Sequence, residues 1–249
     1  MLRDQVALIT GASRGLGKET ARLLARRGLR LILTARGENG LAQAACELQA
    51  ATPVVALPGD VADPSHARRL VTAGLQSFGH IDFLINNASV LGPTPMPKLE
   101  ALPLEGLENV IRVNVMAPLS LAQLVLPQMR ARRAGTIVNM TSDAGVQAYA
   151  GWGAYGASKA ALEQVSRVLA QELKGTGIRV YVVDPGEMNT QMYREAEPEA
   201  DVSHMPGADS AAAALVDLIA RETAPFGRFQ LRRWAALDQL SAPRPGGIR

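Results

Sequence analysis

Residues 6–28 read VALITGASRGLGKETARLLARRG, and the fold follows from how this stretch divides. Val6–Thr10 is a short apolar run that stops at Gly11, the pattern of a buried strand. Leu16, Ala21, Leu23, Leu24 and Arg27 then recur at helical spacing as far as Gly28, which ends the helix. Between the two, Gly11, Gly15 and Gly17 stand at TGxxxGxG spacing. Glycines here let the backbone turn sharply and approach an anion, and the helix N-terminus adds N–H donors and partial positive charge. Strand, glycine loop and helix in this order predict a dinucleotide-binding unit, with plain helix–strand packing as the competing reading. Gly11, Ser13, Arg14, Gly15, Leu16 and Gly17 are its expected contacts.

Outward from this unit the same alternation repeats. Strand-like runs lie in LRLILTA (29–35), PVVALPGD (53–60), IDFLINNA (81–88), GTIVNMTS (135–142) and GIRVYVVDPG (177–186). Helical patterns separate them, including DPSHARRLVTAGLQSFG (63–79), where Asp63 can cap the start and Pro64 occupies the first turn. Two more, 103–115 and 118–133, fall between the fourth and fifth strands. Runs apolar throughout and divided by helices indicate a parallel sheet covered on both faces. The expectation is a single α/β domain over residues 1–249, a Rossmann-type doubly wound parallel sheet flanked by helices on both faces. Residues 187–207 are acidic and lack apolar periodicity, which makes them a candidate substrate loop or a plain surface excursion.

Composition narrows the classes. The chain has 249 residues, 47% of them hydrophobic, enough for one substantial core. No 18-residue apolar run suggests a membrane span, and MLRDQVALIT does not read as a signal peptide. One cysteine, Cys46, excludes an intrachain disulfide, makes the cytoplasm the simplest compartment, and is expected to pack within its helix. His66, His80 and His204 show no metal-ligand spacing. The net charge of +3 includes a basic C-terminal run with Arg228, Arg232, Arg233, Arg244 and Arg249, read as a solvated end because no nucleic-acid motif accompanies it.

Charge also bears on the cofactor. A dinucleotide fold that prefers NAD usually places an acid at the end of the second strand. Here that place reads Thr34, Ala35, Arg36, and Arg14 is a second cation on the same side. Two arginines without an acid suit a 2′-phosphate, favouring NADP(H) over NAD(H). Asp60 and Val61 follow the third strand, and Asn87 and Ala88 follow the fourth, at the sheet edge where such ligands bind. Asp60 could meet the adenine or cap a turn; Asn87 could line the cofactor or tie the sheet end together.

Tyrosine and lysine are scarce, at four each, yet Tyr155 and Lys159 stand at i and i+4 in AYGASKAALEQV. A nicotinamide delivers hydride but no proton, so carbonyl reduction needs an acid at oxygen. A lysine one turn along the same helix face favours the phenolate and is expected to lower the tyrosine pKa. Ser142, thirteen residues before Tyr155 at the end of the fifth strand, can hydrogen-bond the substrate oxygen.

With these residues in place the chain resembles the short-chain dehydrogenases/reductases, from about residue 5 to 190. The resemblance rests on TGASRGLG, NNAS, Asn114 in RVNV, Ser142 in MTSDAG, YGASK and DPGEMNT. It implies a catalytic tetrad of Asn114, Ser142, Tyr155 and Lys159. Tyr155 would be the acid/base and Lys159 would also bind the nicotinamide ribose. Asn114 would hold a water linking Lys159 to solvent; without the family it reads as a helix-kink residue. Pro185, Gly186, Met188 and Thr190 match the segment that holds the nicotinamide carboxamide. Two departures stand out: Ser89 replaces the usual glycine, and the C-terminal strand with its Asp-Gly-Gly-like ending is missing. The resemblance implies a homodimer through helices 118–132 and 153–174, while that missing segment leaves the tetramer open.

The expected reaction is reversible reduction of a ketone or aldehyde with NADPH. The alternatives are NAD-dependent alcohol oxidation and a non-catalytic dinucleotide sensor. Val90, Leu91, Val146, Tyr149, Trp152, Met188, Met192 and Tyr193 fall on segments bordering the nicotinamide, predicting an apolar pocket for a small carbonyl or alcohol substrate. Nucleic-acid and membrane partners are not expected.

Overall fold

In the computed structural model, which describes residues 2–241, Val6–Thr10 forms strand β1, buried at every position. Gly15–Arg26 forms helix α1, ended by Gly28 at φ 80°. The chain continues through β2 (Arg30–Thr34), α2 (Glu38–Gln49), β3 (Val54–Ala56), α3 (Pro64–Phe78) and β4 (Phe83–Asn86). Asp63 caps α3 by accepting from Ser65 N at 2.8 Å, with proline in the first turn. Then come α4 (Leu104–Ile111), a π-helical turn (Arg112–Met116) and α5 (Ala117–Arg132). The second half holds β5 (Gly135–Met140), α6 (Gly153–Glu172), β6 (Ile178–Asp184), α7 (Gln191–Ala196), α8 (Ala208–Arg221), β7 (Phe226–Gln230) and α9 (Leu231–Ser241).

All seven strands join one sheet in the order β3-β2-β1-β4-β5-β6-β7, every neighbouring pair parallel. The side-chain period of two sends Ala7 and Ile9 to one core, with α1 and α8, and Val6 and Leu8 to the other, with α3 and α5. Both faces are thereby covered, as the apolar strands require. Chain order reverses between β1 and β4, which opens a crevice at the strand C-terminal ends. A polar seam ties α6 to the sheet: Asn86 Nδ2 donates to Asn139 Oδ1 and Asn139 Nδ2 to Ser166 Oγ, both at 2.8 Å. Leaving one of these buried groups unpaired costs about 1–3 kcal/mol, so the seam fixes the helix that carries Tyr155.

Three sequence expectations need correction. A C-terminal strand is present: β7 pairs with β6 from Val180–Phe226 to Asp184–Gln230. Its residues, FGRFQ, are all half-buried at the sheet edge and include Gly227 and Arg228, so pattern alone does not mark them. Only the Asp-Gly-Gly-like ending is absent, since the chain turns directly into α9. Cys46 faces solvent, because the buried stripe of α2 is Leu41, Ala44, Ala45 and Leu48. The helical stretch Leu104–Arg132 is long and apolar enough to cross a membrane by length and composition, but half of it is buried. Leu121, Val125 and Met129 pack into the core, which accounts for its apolar character. Arg244 and Arg249 lie outside the described residues.

Candidate active site

The crevice above the strand ends is a cleft of about 990 Å³. The glycine loop forms one end. Gly11 adopts φ +67°, and a Cβ there would sit 2.9 Å from Asn87 Nδ2, so the loop closes against the end of β4 only with glycine. Gly15 (φ +54°) opens onto the cleft, where the nearest atom to an added Cβ is the Thr190 methyl, at 3.9 Å. Ser13, Arg14 and Leu16 line the cleft as well. Gly17 does not: a Cβ on it would lie 2.3 Å from Gly11 O, so it serves the close packing behind the loop. Arg14, the N-cap of α1, makes no side-chain capping bond, in contrast to Asp63 on α3. An uncapped helix N-terminus beside a backbone cradle fits a dinucleotide phosphate.

The next strand ends continue this wall. Arg36 follows β2, is exposed, and makes no hydrogen bond or ion pair among the described residues. The Arg14 guanidinium donates to Gln191 Oε1. Asp60 and Val61 line the cleft after β3, and Asp60 Oδ1 also accepts from Ala62 N at 2.8 Å, so its turn-capping role is met. Asn87 and Ala88 line it after β4. Asn87 Nδ2 donates to Thr10 O at 2.9 Å, so its side chain ties β4 to β1. Pro185, Gly186, Met188 and Thr190 line the far side after β6, with Thr190 capping α7.

Tyr155 and Lys159 enter from the first turns of α6, buried on the cleft wall, and Ser142 enters from the end of β5. Ser142 heads a short 3-10 turn (Asp143–Gly145) that presses on α6. The approach is close: a Cβ on Gly156 would lie 2.6 Å from Ala144 O. Ser142 Oγ donates to Asp143 Oδ1 at 2.8 Å and accepts from Ala144 N at 3.2 Å. Lys159 Nζ donates to Met140 O at 2.8 Å and lies 5.2 Å from the centre of the Tyr155 ring.

The electrostatics reverse one expectation. Burial pushes the Tyr155 phenol upward, and the hydroxyls of Ser89 and Ser142, which pull it down, do not overcome this. Burial also lowers Lys159 to about 7, which weakens the charge expected to favour the phenolate. Desolvation therefore governs both members of the pair.

Asn114 stands behind the cleft, outside its lining. It sits in the π-helical turn, Arg112–Met116, between α4 and α5. Its Oδ1 accepts from Ser89 Oγ (3.1 Å) and Val90 N (2.9 Å), while Nδ2 donates to Val90 O (2.9 Å) and Ser158 Oγ (3.0 Å). Both amide protons and two acceptor positions are thus committed, so the side chain has little capacity left to hold a water.

Several residues escaped the sequence reading. Glu163, 1% exposed, accepts from Thr141 Oγ1 (2.9 Å), Arg167 Nη2 (3.0 Å) and Arg228 Nε (3.0 Å). Arg228 also donates to Ser142 O at 3.4 Å and lies 3.9 Å from buried Asp184. Glu163 stands four residues after Lys159 on the same helix face, a signal that was available. Arg228 gave none while β7 went unread. Of the apolar residues expected around the substrate, Val90, Leu91, Tyr149, Trp152, Met188, Met192 and Tyr193 line the cleft, whereas Val146 is 67% exposed and does not.

The chain is similar in sequence and fold to known proteins. A family model described as short chain dehydrogenase matches residues 5–201. A Pseudomonas aeruginosa protein named rhamnolipids biosynthesis 3-oxoacyl-(acyl-carrier-protein) reductase is 37% identical over 219 residues, covering 82% of this chain and 83% of its own length. A solved Pseudomonas syringae structure described as a short chain dehydrogenase superposes with a TM-score of 0.86 at 31% identity, covering 92% of this chain and 94% of the other. A metagenomic short-chain oxidoreductase in complex with NADP gives a TM-score of 0.78 at 29% identity, with coverage of 92% and 96%.

Proposed function

The chain belongs to the short chain dehydrogenase family, oxidoreductases acting on a CH–OH/C=O pair, and we propose that it is an NADPH-dependent reductase of a ketone or aldehyde. The observation that carries this reading is the convergence of Ser142, Tyr155 and Lys159 on the cleft that the glycine loop opens. A bound nicotinamide supplies the hydride that reaches the carbonyl carbon. Tyr155 gives its proton to the carbonyl oxygen, and its raised pKa keeps that proton in place until negative charge develops there. Ser142 Oγ, rotating off Asp143, donates to the same oxygen. Lys159 orients the ribose and, in its protonated form, stabilises the phenolate left behind. Asn114 fixes the Ser89–Val90 segment through its side chain, so any water it holds for a proton relay is held by its backbone. In the reverse direction the same groups take the proton from an alcohol.

Preference for NADPH over NADH is supported by Arg14 and by Arg36, which has no partner among the described residues, together with the absence of an acid between Thr34 and Arg36. The NADP bound to the metagenomic relative is in keeping with this. The 3-oxoacyl substrate named for the Pseudomonas aeruginosa relative is a ketone, which supports carbonyl reduction as the reaction. Residues 187–207 act as the substrate loop: Met192 and Ala196 pack with Leu91, Ala144 and Tyr155 over the catalytic end. A homodimer through the helices 118–132 and 153–174 is supported by Val168, a large apolar side chain exposed on α6.

NADPH consumption followed against a panel of carbonyl compounds tests the function. Turnover by the parent and a loss of roughly 100-fold or more in Tyr155→Phe is the expected outcome. Equal rates in both proteins would break the assignment of Tyr155 as the acid.

A further inference from the structure

The cleft is polarised along its length. Arg14 and Arg36 stand at the glycine-loop end, while the wall beyond Tyr155 carries Asp143, Glu187 and Glu197, each in contact with the O–H or N–H of an aromatic side chain. Tyr149 Oη lies 2.8 Å from Asp143 Oδ2 and 2.7 Å from Gln147 Oε1, its one proton shared between these acceptors. Trp152 Nε1 donates to Glu197 Oε1 at 3.1 Å and Tyr193 Oη to Glu187 Oε1 at 3.4 Å. The three aromatic residues and the three carboxylates line the cleft. The rings continue inward to the catalytic phenol: Tyr149 meets Trp152 edge-to-face at 6.3 Å, and Trp152 meets Tyr155 at 5.7 Å.

Nearby cations do not neutralise this wall. Arg194 is hydrogen-bonded to Asn189 Oδ1. Arg232 lies 3.8 Å from Glu187, offsetting that one carboxylate. Arg228, outside the cleft lining, is engaged by the buried carboxylates of Glu163 and Asp184, the latter on the cleft wall, and Arg14 is held by Gln191. Asp143 and Glu197 make no ion pair among the described residues, and both face the aromatic wall. The phenols register the field: the hydrogen bond to Asp143 raises Tyr149, and burial followed by Glu187 and Glu197 raises Tyr193.

We propose that the substrate is a carbonyl compound bearing a cationic nitrogen, seated among Tyr149, Trp152, Asp143 and Glu197 while its carbonyl reaches Tyr155. Aromatic faces and fixed carboxylates are the complementary environment for an ammonium, and they disfavour a carboxylate or phosphate at the same place. The proposal deepens the reductase reading and rests on it for the position of the carbonyl. The plain alternative is that each carboxylate merely satisfies an aromatic O–H or N–H. An amide would serve that purpose equally, so isosteric amides separate charge from hydrogen bonding.

The test is binding to the full chain, with and without NADP+, read by tryptophan fluorescence, with Trp152→Phe identifying the signal from Trp152. Benzyltrimethylammonium and phenylacetate are the probes, a cation and an anion on the same aromatic frame. The cation should saturate at a concentration at least tenfold below the anion, and combining Asp143→Asn with Glu197→Gln should shrink the preference to within twofold. Equal or tighter anion binding, saturation by neither probe, or a preference untouched by the amide variants each overturns the proposal. No turnover is required, so a retained cation preference in a protein that reduces no carbonyl would break the reductase reading instead.

Discussion

The two ends of the cleft are built from different materials. At the glycine-loop end the wall is built largely on backbone: Gly11 and Gly15 at positive φ, Gly17 packed on Gly11 O, and an uncapped helix. At the end beyond Tyr155 it is side chains on two segments, 143–152 and 187–197, with rings and carboxylates holding one another. Backbone recognition needs only a local pattern and suits a ligand shared by many proteins. Side-chain recognition needs distant segments to meet, and it can vary without disturbing the fold.

Two glycine variants put this contrast under the greatest stress. Gly17→Ala places a methyl 2.3 Å from Gly11 O and should abolish measurable NADPH binding by calorimetry. Gly156→Ala places one 2.6 Å from Ala144 O and pushes the Ser142 turn off α6. Overpacking of this kind costs about 1–3 kcal/mol, and kcat should fall roughly 10-fold or more while NADPH affinity holds. If Gly156→Ala loses cofactor affinity as severely as Gly17→Ala, the two ends are not separable.

Lys159 supplies the next effect. Its pKa of about 7 in the fold lies below lysine's ordinary 10.5, so between those values the unfolded chain holds a proton that the folded chain does not. Stability should therefore rise with pH from about 7 toward 10, by an amount on the order of a few kcal/mol. Tyr155, raised by burial, contributes in the opposite sense only above its ordinary value near 10. Urea unfolding of the cofactor-free protein at about pH 7 and 9.5 should show the rise, and Lys159→Met should flatten it.

Smaller effects follow. Arg36→Ala should weaken NADPH binding by about 10-fold and leave NADH within twofold, as loss of one charge-assisted contact predicts. Loss of both cofactors together would place Arg36 elsewhere in the site. Ser89→Gly removes one of the two hydroxyls that pull the Tyr155 phenol down, so the basic limb of the kcat–pH profile should move slightly upward. A shift downward would mean that Ser89 does not act on the phenol.

The same division decided what was legible in the sequence. The glycine-loop end of the cleft was readable because β1, its glycines and α1 are contiguous, and Asp60 and Asn87 follow apolar runs. The meeting of Ser142, Tyr155 and Lys159 on the cleft was readable because Tyr155 and Lys159 share a helix turn and Ser142 closes a strand. The side chain of Asn114 was not, since its four hydrogen bonds run to Val90, Ser89 and Ser158, which lie 24, 25 and 44 residues away. Nor was the direction of the Tyr155 shift, which depends on burial that no local spacing reports. β7 escaped because an edge strand held by β6 can tolerate Gly227 and Arg228, and Arg228 escaped with it.

Arg228 has a consequence in the order of synthesis. It reaches back 65 residues to Glu163 and 86 to Ser142, and it lies beyond residue 201, where the family match ends. A nascent chain that has emitted β5 and α6 can assemble most of the cleft, yet the carboxylate of Glu163 then lacks one of its two guanidinium partners. Completion waits for β7 to leave the ribosome, so a translation product or proteolytic fragment ending before Phe226 keeps Asn114, Ser142, Tyr155 and Lys159 and loses the cation behind them.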